Sequence, residues 1–230
     1  MPKIGSSGKK ITPPGKRPQN LDRNYDKTQL RSSNHGQKVH RDYAAHFFRW
    51  GWASRMIKGG KTRVLDVGCG QDFPLVNVMS GSLSSFPGAY VGLDLNKLSK
   101  RPSRTWIEAI YDEFDFPGVG WKTIKESHEP FDLVVNFEVV EHMHRESGVK
   151  LVIGMRECLT TGGRILLSTP CYDGKRMAAN HIKEYTIDEL RDLIDECDLE
   201  VVERFGTFAS WNSIRKICTE SERRLLDETG

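Results

Sequence analysis

From residue 63 onward the chain alternates short, unbroken apolar runs with stretches of helical periodicity. The first run, Arg63–Val67, stops at Gly68-Cys69-Gly70, and the second, Ala89–Leu93, stops at Asp94. Trp106–Ile110 is a weaker third, and Phe131–Phe137 (FDLVVNF) is the strongest. Arg164–Thr169 follows a Gly162-Gly163 entry, and Leu199–Phe205 reads as a sixth. Helices fit between them, most clearly over Arg145–Leu159 and Thr186–Cys197. A strand that is apolar on both faces must be covered on both faces. Alternation with helices therefore predicts a parallel sheet in a three-layer α/β/α arrangement. In such a sheet, ligands bind at the carboxyl ends of the strands.

The first part of the chain differs in kind. Residues 1–36 are rich in Gly, Pro, Ser, Asn and Lys and lack apolar periodicity, which predicts a flexible arm ahead of one domain over 37–230. In the segment after Val39, Tyr43, Phe47, Trp50 and Ser54 fall at helical spacing, a stripe expected to pack on the domain. Arg41 and Arg49 beside these rings would also suit stacked bases and phosphates. Charge is uneven: residues 1–63 hold 15 Lys/Arg against 3 Asp (+12), and the remainder holds 19 against 28 Asp/Glu (−9). A basic arm on an acidic domain fits a nucleic-acid partner, and a solubilising tail is the competing reading. No stretch approaches the ~20 apolar residues of a membrane span, and MPKIGSSGKK lacks the apolar run of a secretory leader. The five scattered cysteines have no metal-ligand spacing. Together these features predict reduced thiols in an intracellular, cytoplasmic protein with no membrane partner.

Gly68-x-Gly70 after a strand suggests a close backbone approach to a ligand. The dinucleotide fingerprint needs a small residue where this chain has Phe73, followed by Pro74. Asp66, two residues before Gly68, would repel a pyrophosphate but suits an ammonium group. VLDVGCG (Val64–Gly70) closely resembles motif I of the class I S-adenosylmethionine-dependent methyltransferases, and YVGLDLN (Tyr90–Asn96) resembles their motif II. The resemblance covers roughly residues 39–207 and implies a Rossmann-like class I methyltransferase sheet that binds S-adenosylmethionine. It implies that Gly68 and Gly70 admit the cofactor, Asp66 helps hold its methionine end, and Asp94 accepts both ribose hydroxyls. A carboxylate suits that task because its two oxygens accept two O–H donors. The resemblance further implies an adenine-facing acid after the third strand, Asp112 or alternatively Asp115, and a cofactor contact at Phe137. The family's usual antiparallel seventh strand is missing from the pattern. The residues after Thr207 look helical, which leaves a truncated chain as one reading.

The fourth run continues as Glu138-x-x-Glu141-His142, and His181 follows the fifth. On a helical turn, positions three and four apart share a face. Glu138, Glu141, His142 and His181 could then hold Mg²⁺ or Mn²⁺ with two positions left for acceptor oxygens. This pattern resembles the small-RNA 2′-O-methyltransferases and the ubiquinone-pathway O-methyltransferases. Without an ion, His142 or His181 remains the base candidate, with Glu138 beside them. The same run also serves as a plain cofactor-pocket support in the family. Asn136-Phe137-Glu138-Val139 lacks the prolines of amino-directed DNA methyltransferases, and Cys171 after Thr169-Pro170 is a poor match to a cytosine-attacking thiol. The function expected is transfer of a methyl group to a hydroxyl of a small molecule, nucleotide or nucleic acid. The alternative is a non-catalytic nucleic-acid-binding protein on the same fold.

Overall fold

The computed structural model describes residues 43–70, 73–81, 86–98, 101–118, 120–172, 174–175, 177–207 and residue 220. The basic arm and the segment after Thr207, Glu220 excepted, lie outside the described residues. Five strands form one sheet: β1 (Arg63–Val67), β2 (Ala89–Leu93), β3 (Ile107–Tyr111), β4 (Phe131–Phe137) and β5 (Leu159–Ser168). Their order is β3-β2-β1-β4-β5, and every pairing is parallel. The described helices are α1 (Tyr43–Met56), α2 (Pro74–Ser80), α3 (Gly120–Ser127), α4 (Arg145–Glu157) and α5 (Ile187–Glu196).

Side chains that alternate along the strands supply two separate cores. Val64, Tyr90, Leu133 and Val135 meet Trp50 and Ala53 of α1 and Leu75 and Met79 of α2. Leu65, Val67, Val91 and Val134 meet Ile124 of α3, Leu151 and Met155 of α4 and Leu193 of α5. The three-layer expectation is met, and the order in which strands are added reverses between β1 and β4 while all run parallel. That reversal opens the ligand crevice of a doubly wound sheet. Local signals agree with these bounds. Pro74 opens α2, and Thr186 caps α5 with a reciprocal bond to Glu189. Among the described residues no helix is long and apolar enough to cross a membrane.

Three expectations need correction. Leu199–Phe205 is not a strand: residues 199–207 are irregular, and Val202 is 70% exposed. Its alternation of apolar residues has no strand partner, and Phe205 instead packs on the outer face of α1 against Trp52 and Phe48, at ring separations of 4.6 and 5.6 Å. The α1 stripe is rotated. Ala45, His46, Trp50, Ala53 and Ser54 face inward, while Phe47 is 43% exposed. The small alanines let the helix sit close to the sheet, which turns the larger Phe47 outward. Strand β5 starts at Leu159, before the Gly162-Gly163 pair, because the ladder shifts register between Phe131 and Leu133 and absorbs the glycines.

Candidate active site

The site forms where β1, β2, β4 and β5 end. Gly68 and Gly70 adopt left-handed backbone angles (φ 85° and 69°), which glycine alone adopts without strain. The Gly68 and Cys69 amides both donate to the Leu93 carbonyl, at 2.7 and 3.0 Å, so the turn after β1 is tied to the end of β2. A Cβ on Gly68 would lie 2.3 Å from Val139 Cγ2, so the loops after β1 and β4 touch at the sheet reversal. Asp94 completes the cradle. Its Oδ2 accepts from the Gly70 amide at 3.0 Å and its Oδ1 from the Asn96 amide at 2.7 Å. Burial raises the Asp94 carboxyl above its ordinary range, and those two amides oppose the rise. Each oxygen keeps a further lone pair that can accept a hydroxyl donor. Phe73, at the position that argued against a dinucleotide, is buried in the α1–α2 core at φ 49°.

Asp66 stands opposite Gly92, two residues before Asp94, and accepts a 2.8 Å hydrogen bond from the Tyr90 hydroxyl. Burial pushes its carboxyl up to about 7, Tyr90 opposes the rise, and the Asp94 charge adds to it. Because the folded value exceeds the unfolded 3.8, the native state holds its proton more tightly. Its contribution to stability is present at acid pH and is lost as pH climbs from about 4 to about 7. A ligand ammonium favours the ionised form, so binding of the expected cofactor should strengthen by up to about one log unit per pH unit until about pH 7. It should weaken again once the ligand's own α-amine, near 7.7–8.0, loses its proton. Tyr90→Phe removes the opposing hydrogen bond and should move the acid limb to higher pH. Calorimetry from pH 5.5 to 8.5 checks both. A flat profile in the wild type would exclude Asp66 from the ammonium site.

The carboxylate and imidazole cluster lies across the crevice. Glu138 follows β4 with a left-handed φ of 57°, at a bend before a short 3-10 turn over Val140–His142. Glu141 is 1% exposed: Thr169 Oγ1 donates to its Oε2 at 3.2 Å, while Oε1 has no hydrogen-bond partner among the described residues. Burial, and then the nearby Glu138 charge, push the Glu141 carboxyl well above the usual carboxylate range. His142 Nδ1 donates to the Asn180 carbonyl at 3.1 Å, and its Nε2 stands 3.7 Å from Glu141 Oε1. Burial lowers the His142 pKa to about 4, so the ring is neutral at neutral pH. His181 Nδ1 donates to Glu184 Oε1 at 2.5 Å, and the two histidine rings stand 5.0 Å apart, nearly perpendicular. One ligand atom each from Glu141, His142 and His181 lies within 4.8 Å of the others. Ions of the first-row type sit about 2.0–2.3 Å from such donors, so one ion fits between them.

His181, remote in sequence, lies in one group with Glu141 and His142, and Glu138 is not a member of it. Its Oε1 accepts from Ser168 Oγ at 2.9 Å and faces Arg49 of α1 at 3.6 Å. The helical spacing that grouped Glu138 with Glu141 does not apply, because residue 138 is left-handed and the helical turn begins only at Val140. Asp112 is already engaged: its Oδ2 accepts from the Leu98 amide at 3.3 Å and from Arg101 at 2.9 Å. These partners outweigh its desolvation and hold its pKa below the ordinary value. Phe137 is half-buried beside the α1–α2 core. Sequence reasoning missed Arg49 as a partner of Glu138, and it missed Glu184. The H-x-x-E spacing of the latter was the available signal.

Over residues 19–204 the chain matches a family model described as methyltransferase domain. A ubiquinone biosynthesis O-methyltransferase of Cereibacter sphaeroides is 28% identical over 166 residues, which cover 63% of this chain and 62% of the relative. The chain thus aligns with about three fifths of that relative's length. A SAM-dependent methyltransferase of Leishmania major superimposes with a TM-score of 0.55 at 18% identity, over 75% of this chain and 68% of the other. CalO1, a methyltransferase of calicheamicin biosynthesis in its SAH-bound form, gives 0.51 at 17% identity, over 72% and 51%.

Proposed function

Because the chain belongs to the methyltransferase-domain family, we propose that it transfers the methyl group of S-adenosylmethionine to a hydroxyl oxygen. The observation that carries this reading is the buried, unpartnered Glu141 Oε1 beside two imidazoles, across the crevice from the Gly68–Asp94 cradle. Asp66, Gly68, Gly70 and Asp94 would hold the cofactor, with Phe137 and Asp112 at the margins of its pocket. The acceptor oxygen attacks the methyl carbon as the S–CH₃ bond breaks. That electron pair returns to sulfur, giving S-adenosylhomocysteine, and the hydroxyl proton passes to a base. Glu141, with its raised pKa, is the stronger proton acceptor, while His142 at about 4 is a weak one. Holding oxygen and methyl in line supplies much of the remaining acceleration.

The same three residues fit a divalent cation. Carbonyl and carboxylate partners accept only, so each histidine carries its proton on Nδ1 and offers Nε2 as a lone pair. Two imidazoles suit Mn²⁺ better than Mg²⁺, which favours oxygen ligands. Such an ion, when bound, would lower the pKa of the acceptor hydroxyl. The oxygen-directed relatives support a hydroxyl acceptor.

Calorimetry with S-adenosylmethionine, followed by tritiated-methyl transfer to catechols, nucleotides and RNA with and without chelator, tests the proposal. Asp94→Ala should lose about 1.5–3 kcal/mol of cofactor affinity per hydrogen bond to the charged group. A wild type that binds no S-adenosylmethionine at micromolar concentration would favour the non-catalytic nucleic-acid-binding reading instead.

A further inference from the structure

We propose that Glu184 is the positioning residue of this site: its buried carboxylate fixes His181 in one tautomer and aims Nε2 toward Glu141. The inference rests on the cation-holding reading above. Both side chains of the pair are nearly inaccessible, at 6% exposure for His181 and 8% for Glu184. Glu184 is anchored independently of the histidine, because its Oε1 also accepts the Ala178 amide at 2.9 Å. The carboxylate therefore dictates where the imidazole goes. Lys183, the adjacent cation, is drawn away to Glu189 and does not neutralise it. The surrounding segment is also held in place: the Ile182 and Lys183 amides donate to the Glu141 carbonyl at 2.8 and 3.0 Å. His142 receives the equivalent support from the Asn180 carbonyl, at 3.1 Å. Residues 178–184 thus orient both rings, but only His181 has a full negative charge behind it. A carboxylate behind an imidazole makes the far nitrogen a better donor, and losing such a partner weakens metal affinity by about 10- to 100-fold.

The test uses the full chain, ¹⁵N-labelled, at pH 8. Long-range ¹H–¹⁵N spectra report the tautomer of each histidine, and calorimetry with manganese chloride alone reports ion affinity. In Glu184→Ala, His181 should populate both tautomers while His142 keeps its own, and the Mn²⁺ Kd should rise about 10- to 100-fold. Glu184→Gln keeps an acceptor without the charge. It should preserve the His181 tautomer and raise the Kd by about tenfold, at the low end of that range. Cofactor affinity should stay within about twofold in both variants, since the Glu184 carboxylate is engaged by Ala178 and His181 rather than by the Gly68–Asp94 cradle. The proposal is overturned if Glu184→Ala retains a single His181 tautomer and an unchanged Mn²⁺ Kd while only the melting temperature falls. Glu184 would then be a loop fastener. Should Glu184→Ala not fold, an unchanged Kd in Glu184→Gln overturns the charge-dependent role. A wild type that binds no Mn²⁺ at millimolar concentration defeats the cation reading instead, and the tautomer spectra then decide on Glu184 alone.

Discussion

Gly68→Ala is expected to lower the unfolding free energy by about 2–5 kcal/mol and to abolish cofactor binding in the molecules that stay folded. Two costs add. An L-residue held in the left-handed region costs about 1–2 kcal/mol, and Gly68 has φ 85°. The new methyl would stand 2.3 Å from Val139 Cγ2, far inside contact distance, and overpacking of this kind costs about 1–3 kcal/mol. Relief requires Val139 to leave its rotamer or one loop to move off the other where β1 and β4 end. The Gly70 amide and Asp94 would move with it, since they are bonded to each other. Adding Val139→Ala should recover the packing part of the loss and leave the backbone part, a separation that a double-mutant cycle resolves. Urea unfolding should show a lower midpoint at an unchanged slope. Equal midpoints for wild type and Gly68→Ala would mean that the two loops are not in contact.

Glu141→Gln is expected to move activity and stability in opposite directions. Turnover should fall by about 10²- to 10⁴-fold, the range for removing a proton-transfer group. Stability should rise, because an amide can donate to the free Nε2 of His142, which a carboxylate facing it at 3.7 Å cannot do. The gain should approach the cost of a buried unpaired polar atom, about 1–3 kcal/mol. The sign with pH follows from the raised pKa of Glu141. Above its ordinary 4.5 the unfolded chain releases this proton while the folded chain resists, so wild-type stability declines as pH rises. The advantage of the Gln variant should therefore be small at pH 5 and larger at pH 8. Calorimetric melting at the two values checks this, and a variant less stable than wild type at pH 8 would contradict it.

Gly68 and Asp94 were visible in the sequence, for different reasons. Gly68 is legible because glycine after an apolar strand marks a backbone geometry that other residues resist, and Asp94 because it ends the next strand. The strands most clearly bounded in sequence, β1, β2 and β4, have the observed limits. Leu199–Phe205 misled because alternating apolar residues report a need for burial, not the presence of a neighbouring strand. Phe205 meets that need in part on aromatic rings of α1. Spacing on an assumed helix says nothing about a left-handed residue inside it, so it did not foretell the bond of Glu138 to Ser168. Glu184 escaped notice since a carboxylate between Lys183 and Tyr185 looks like ordinary surface until its burial is seen.

Cys171 and Tyr185 form a parallel bridge, and the Tyr172 amide donates to the Tyr185 carbonyl at 2.9 Å. The excursion between them is therefore closed at its base independently of what lies at its tip. Closing a flexible loop costs only about 0.6 kcal/mol more for each doubling of its length. Insertions between Tyr172 and Met177 would thus be nearly free of penalty, and His181, on the anchored side, would keep its place. This segment can therefore diversify by length change while Glu141, His142 and His181 stay where the sheet and its anchored loops put them.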